Sequence, residues 1–256
     1  MGIVEGMSNE VYHSQNGISS TAVKTVYKKS LAHWKGEKRK QTSAFSMGSA
    51  VHALLLEEDR DLVIKGPKTR ASKGFKELEE NAEDDQVVLT EVEYHVAHRM
   101  AQETLKNETC LTALRHQNRK NEVSVFAECE RTGLMLKTRP DLYIPTLGTV
   151  YDVKTTQDAS PIGFAQECWK YSYDLQAAFY LYVCNLAGIL VERFHFLAVE
   201  KAAPYASHMH IVSPELLANA TERMHRTLAV IKDASDKEDF GTGWGEYTVL
   251  DLPKWL

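Results

Sequence analysis

The sequence predicts a single α/β domain in which helices flank a central mixed β-sheet. Three observations carry that expectation. Apolar positions follow a helical period through much of the first half and a two-residue period through residues 121–130. Strand and helix patterns then alternate to residue 233, the order of a layered α/β core. At 256 residues, with 43% hydrophobic and 25% charged side chains, the chain can bury a substantial core, and no internal repeat or low-complexity linker divides it.

The elements follow in order. Ser19 or Ser20 supplies an N-cap for a first helix through TAVKTVYKKS. AFSMGSAVHALLLE (44–57) forms a second, with Gly48 near its beginning. Residues 62–87 are charged and broken by Gly66-Pro67 and Gly74, which predicts a loop with a short helix. A long amphipathic helix, open to interruption, is expected over 90–118. Val123, Val125, Ala127 and Cys129 fall on one side of a strand over 121–130. Gly133 turns it into a second strand, LMLKTRPDLYI, and a third covers 149–155. A helix over 164–187, strands at 194–199 and 208–212, and a helix over 214–233 complete the core. The tail beyond is acidic and Trp-rich.

Chemical information is densest from Arg139 to Thr156, RPDLYIPTLGTVYDVKTT. Side chains alternate across a strand, so Asp152 and Lys154 share a face while Val153 faces the core. Pro145 and Gly148 mark the turn of a hairpin that brings Asp141 beside Asp152. Two carboxylates and an ammonium group then converge, a set suited to Mg²⁺ with a lysine beside an attacking water. Alone, an Asp-x-Lys triplet is equally a solvent-facing ion pair. The apolar neighbours Val150, Tyr151 and Val153 favour a partnered site. His52 lies in an apolar helix, either as a satisfied core histidine or as a neutral imidazole ligand facing the same cavity. Glu57, five residues on, reads as a helix-end charge. Gln176 and Tyr180 are four apart and share a face with Tyr173. They form a tyrosine-rich core stripe, or else Gln176 holds the lysine, water or phosphate while Tyr180 lines a substrate path. Glu122 reads as a strand-end acid or a further acid near a metal.

The net charge of −5 does not point to nucleic acid, but its distribution does. Lys24, Lys28, Lys29, Lys35, Lys38, Arg39 and Lys40 stand against the single acid Glu37, with Tyr27 and Trp34 interleaved. A second cationic run spans Lys65 to Lys76, and ELEENAEDD follows. A basic front with an acidic remainder suits a groove that tracks phosphates, although a solvated helix face would look the same. Lys24, Lys28, Lys38, Arg39 and Lys40, with Lys137 and Arg139, are the candidate DNA contacts. Cys110, Cys129, Cys168 and Cys184 form no CxxC pair, so zinc and iron–sulfur sites are not expected and reduced cytoplasmic thiols are. No apolar run approaches the length of a membrane span, and the N-terminus lacks the sections of a signal peptide.

Taken together, Gly48-xxx-His52, Arg139-Pro140-Asp141, Asp152-Val153-Lys154 and Gln176-xxx-Tyr180 resemble the PD-(D/E)xK nuclease superfamily. More narrowly they are similar to the branch of RecE (exonuclease VIII) and RecB-type nuclease domains, of phage or prophage origin. Tyr12-His13, Ile18-Ser19 and Leu31-Ala32-His33-Trp34 are similar to the opening of RecE-like exonucleases. The resemblance runs from about residue 10 to 215. It implies a restriction-endonuclease-like core over about 119–232, a helical DNA-binding part over about 10–118 and an acidic tail over 233–256. It also implies that His52, Asp141, Asp152 and the Val153 carbonyl bind Mg²⁺, or Mn²⁺ in its place. Lys154 would help deprotonate the water, with Gln176 and Tyr180 supporting the lysine and the substrate strand. Expected activity is ATP-independent, 5′-to-3′ digestion of linear double-stranded DNA from its ends, leaving 3′ single-stranded tails; the alternatives are an endonuclease on the same core, of the restriction or CRISPR-associated kind, and a non-catalytic DNA-end-binding module. Expected partners are further copies in a ring-like trimer or tetramer and an annealing protein of the RecT kind.

Overall fold

The alternation at 121–155 does build strands, but it feeds two sheets instead of one. The computed structural model describes residues 2–36, 43–57, 60–83, 85–247 and 249. Its first part runs β1 (Gly2–Val4), α1 (Asn9–Ser14), α2 (Ser20–Lys28), α3 (Leu31–Gly36), α4 (Ser43–Leu56), β2 (Val63–Lys65), α5 (Lys73–Asn81), β3 (Val87–Leu89), α6 (Glu91–Thr104) and α7 (Glu108–Leu114). Then come β4 (Lys120–Asn121), β5 (Ser124–Glu128), β6 (Met135–Thr138), β7 (Leu142–Ile144), β8 (Thr149–Thr156), α8 (Pro161–Tyr171), α9 (Tyr173–Leu186), β9 (Arg193–Glu200), β10 (Ser207–Ile211) and α10 (Pro214–Lys237).

The main sheet has the order β10-β9-β8-β7-β4. It is mixed, because β8 and β9 run parallel while its other pairs are antiparallel. β1-β5-β6 form a separate antiparallel sheet, and β2 and β3 a short parallel pair. The strand expected over 134–144 is therefore two strands in two sheets. Proline has no N–H for a ladder, and the chain changes sheets at Arg139-Pro140-Asp141. That break, not a continuous strand, carries Asp141.

Other expected elements are interrupted for local reasons. The helix over 90–118 stops after Thr104 and restarts where the Asn107 side chain accepts the N–H groups of Thr109 and Cys110. The helix over 164–187 is split by Ser172, which adopts a left-handed backbone at φ 52°. Residues 62–87 hold the expected short helix, α5, together with β2 and the first residue of its partner strand β3. The Ser19 cap is as expected, accepting the Ala22 N–H at 3.4 Å.

Both faces of the main sheet are covered. Val150, Phe194 and Phe196 pack with α9 and α10 residues such as Phe179 and Leu228. Tyr151, Val153, Leu197 and Val199 pack with Val51, Leu55 and Met100 of α4 and α6. Helices on two sides of a mixed sheet are the predicted α/β architecture. Among the described residues no helix is long and apolar enough to cross a membrane.

Candidate active site

The β7–β8 hairpin forms as expected, with Leu142, Tyr143 and Ile144 opposite Tyr151, Val150 and Thr149. A short 3₁₀ turn, Pro145–Leu147, and Gly148 at φ 58° join the strands, a left-handed position that suits glycine. Asp141 lies one residue before β7, and its Oδ2 accepts the Val153 N–H at 2.7 Å. His52 comes from α4 one turn after Gly48. Its Nδ1 lies 3.6 Å from the same Asp141 oxygen, and its Nε2–H donates to the Val153 carbonyl at 2.8 Å. Asp141, His52 and both polar ends of residue 153 therefore meet at one spot.

Asp152 is 1% exposed. The Gln176 Nε2–H donates to its Oδ1, and the Lys154 ammonium pairs with its Oδ2. Burial raises the Asp141 carboxyl well above its ordinary value, and the Asp152 charge adds to the rise. His52, Lys154 and the Val153 N–H act against it. The structure thus brings His52, Asp141, Asp152, Val153, Lys154 and Gln176 together.

A second lysine joins this cluster. The Lys24 Nζ–H donates to the Gln176 Oε1 at 3.0 Å. Lys24 and Lys154 stand 5.7 and 5.2 Å from the centre of the same Tyr173 ring. Burial, with Lys154 nearby, pushes the Lys24 ammonium down to about 8. Sequence reading placed Lys24 among surface phosphate contacts. The signal it missed is an i,i+4 match between two helices: Ser20 and Lys24 on α2 face Tyr180 and Gln176 on α9. Tyr180 is half-buried, and its phenol is held far above the usual range by burial and by the two carboxylates, against the Ser20 hydroxyl.

The other predicted cations divide. Lys28 stays at the surface, its Nζ donating to the Trp169 carbonyl at 3.0 Å. Lys38, Arg39 and Lys40 lie outside the described residues. Lys137 is a correction: it is buried, and its ammonium donates to the carbonyls of Tyr12, His13 and Gln15 at 3.1, 3.1 and 2.6 Å. Its donors are spent tying the end of α1 to β6. Arg139 is another. Its guanidinium pairs with Glu122 at 2.8 Å and covers the Tyr12 ring, with 14% of its side chain exposed. Glu122 is thus occupied by Arg139, while its backbone N–H donates to the Asp141 carbonyl at 3.0 Å.

Among the described residues no three His, Cys, Asp or Glu side chains make a metal cage by themselves. The donors that converge are mixed, comprising two carboxylates, one carbonyl and one imidazole. Hard oxygen donors with one imidazole fit Mg²⁺, which keeps several waters, and Mn²⁺.

Residues 20–250 match a family described as a PDDEXK-like domain of unknown function (DUF3799). No curated protein matches the chain. A crystal structure of a protein from Eubacterium rectale, provisionally named an exonuclease, superposes with a TM-score of 0.67 at 17% identity, over 98% of this chain and 96% of that one. That likeness is one of fold. A phage-related exonuclease from Haemophilus somnus 129PT reaches a TM-score of 0.39 at 12% identity, covering 88% of this chain and 98% of its own. The family match takes in everything from the first residue of α2 to beyond α10, the Asp141–Asp152 hairpin included, and the chain therefore belongs to the PDDEXK-like domain family.

Proposed function

We propose that the protein is a metal-dependent deoxyribonuclease that hydrolyses linear double-stranded DNA from its ends. The observation that carries this reading is the meeting of Asp141, His52 and the Val153 backbone beside the Asp152–Lys154 pair. Asp141, Asp152, the Val153 carbonyl and His52 would hold Mg²⁺, or Mn²⁺ in its place. A bound divalent cation supplies charge neutralisation at the phosphate and a lowered pKa for water. The chain's own residues do the rest. Lys154, over the Tyr173 ring and against Asp152, positions the attacking water and takes part in its deprotonation. Gln176 fixes the Asp152 carboxylate from the opposite side.

The family resemblance extends the proposal to 5′-to-3′, ATP-independent digestion that leaves 3′ tails, to a ring-like trimer or tetramer, and to a RecT-like annealing partner. Linear duplex labelled separately at each end, with a closed circle as control, tests the reading. Mg²⁺-dependent release of one label with the circle intact is expected. Asp152→Asn is expected to abolish release while duplex binding persists, because an amide oxygen ligates Mg²⁺ poorly. Parental digestion by Asp152→Asn would remove the site, and cutting of the circle would make the enzyme an endonuclease.

A further inference from the structure

Beside the carboxylates lies a face built like a site for unpaired bases, and its function rests on the deoxyribonuclease reading. Tyr27, Trp169 and Tyr171 are 44%, 56% and 45% exposed, large aromatic surfaces for an unpartnered face. Arg223 of α10 enters between the first two: its guanidinium lies 5.4 Å from the ring centres of both Tyr27 and Trp169. The buried Asp174 holds that guanidinium in place. Both rings are therefore braced by one cation and stay about half exposed. A pocket of about 330 Å³, lined by Val26, Tyr27, Arg223, Arg226, Thr227 and Val230, opens alongside.

Two elements connect this face to the centre. Tyr171 packs 5.5 Å from Tyr173, the ring beneath Lys24 and Lys154, and carries Lys170 over its own ring at 5.2 Å. On α2, Lys28 follows Lys24 by one helical turn, about 6 Å, and donates to the Trp169 carbonyl. Aromatic faces with cations between them thus run outward from the catalytic lysine.

We propose that this face binds single-stranded DNA, its rings stacking successive unpaired bases while Lys28, Lys170 and Arg226 track the phosphates. Charge selects that occupant. Bases on a polyanionic backbone match a strip of rings and cations, whereas an apolar protein partner would have to bury those cations without counter-charges. Of the acids on α9 and α10 beside it, Asp174 is matched by Arg223 and Glu222 by Arg226 at 3.0 Å, while Glu167 of α8 accepts the Gln157 N–H at 3.4 Å. The Glu222–Arg226 pair is exposed and is the kind a phosphate can replace.

Fluorescence anisotropy of a labelled oligothymidylate, with the full chain in chelator, tests the site. Trp169→Ala and Tyr171→Ala are each expected to weaken binding about 5- to 100-fold, the range of single stacking contacts. Trp169→Phe keeps a ring and should retain most of the affinity. Arg226→Ala, at an exposed position, should reduce the salt slope of binding by about one unit or less. Parental affinity in Trp169→Ala and Tyr171→Ala at parental melting temperature, or an unchanged slope in Arg226→Ala, overturns the proposal. So does loss of self-association in Trp169→Ala with oligonucleotide binding intact. Oligonucleotide binding through Trp169 in a protein that digests no duplex would remove the nuclease reading and leave this site. Duplex digestion with normal single-strand binding by Trp169→Ala would remove this site alone.

Discussion

Gln176 has one amide whose two ends meet opposite partners. Its oxygen accepts from the Lys24 ammonium at 3.0 Å, and its nitrogen donates to the Asp152 carboxylate. A flipped amide would turn its N–H groups toward an ammonium and its oxygen toward a carboxylate, so Lys24 decides which way the amide points. With Lys154 on its other oxygen, Asp152 is then held from two sides. Lys24→Met should therefore lower kcat on linear duplex by about 10- to 100-fold, as expected for losing a hydrogen bond that serves a charged group, with KM little changed. The double variant Lys24→Met/Gln176→Leu should be no slower than Gln176→Leu alone, since both changes remove one relay. Steady-state kinetics of the four proteins check this. Additive losses, or an effect confined to KM, would show Lys24 acting as an independent phosphate contact.

At the scale of elements, α4 lies along β8 and delivers His52 to Val153. Gly48, one turn earlier, faces the same strand, and a Cβ built there would sit 3.8 Å from the Thr155 Oγ1, an ordinary contact. Gly48→Ala should fit, and the gain in helix propensity is about 1 kcal/mol. A rise in melting temperature of about 2–4 °C is expected for a chain of this size, with nuclease activity retained. A fall would mean that α4 must approach β8 more closely than a Cβ at this position allows. Gly163 is the contrast: a Cβ there would overlap the Asp158 side chain, so Gly163→Ala should disturb the corner that starts α8. The same elements show what the sequence made legible. The β7–β8 hairpin could be read because alternation, proline and glycine are local signals. The switch of sheet at Pro140 was marked by proline, yet apolar residues on both sides disguised it as one strand. Ser172 breaks α8 from α9 with a left-handed backbone that no glycine announces. Lys24 and Lys137 could not be told from surface cations, because what claims them lies 152 and more than 120 residues away along the chain.

For the molecule as a whole, the candidate site is a cost to the fold that a cation can reverse. Asp141 immediately precedes β7, whose Leu142 and Tyr143 enter the cores on opposite faces of the main sheet, and its carboxyl is raised first by burial and then by Asp152. A folded value above the unfolded one means that the native state binds this proton more tightly. Its stabilisation is complete below the ordinary carboxylate value and is lost as pH climbs through the raised value. Above that window the ionised carboxylate is a standing penalty. Asp141→Asn stays neutral at every pH and escapes it. In chelator, then, Asp141→Asn should melt above the parent at alkaline pH, with the difference shrinking toward zero as pH falls through the window. Mg²⁺ should act in the opposite sense. A ligand that binds only the native state adds RT ln(1 + [L]/Kd), about 2.7 kcal/mol at a hundred times Kd. That gain requires the ionised Asp141, so saturating Mg²⁺ should lift the parent at neutral pH and leave Asp141→Asn nearly where it was. Thermal melts of both proteins across pH, with chelator and with Mg²⁺, contain the whole comparison. If the variant has no alkaline advantage, Asp141 is not strained by burial; if Mg²⁺ lifts both proteins equally, the cation binds somewhere other than this carboxylate pair.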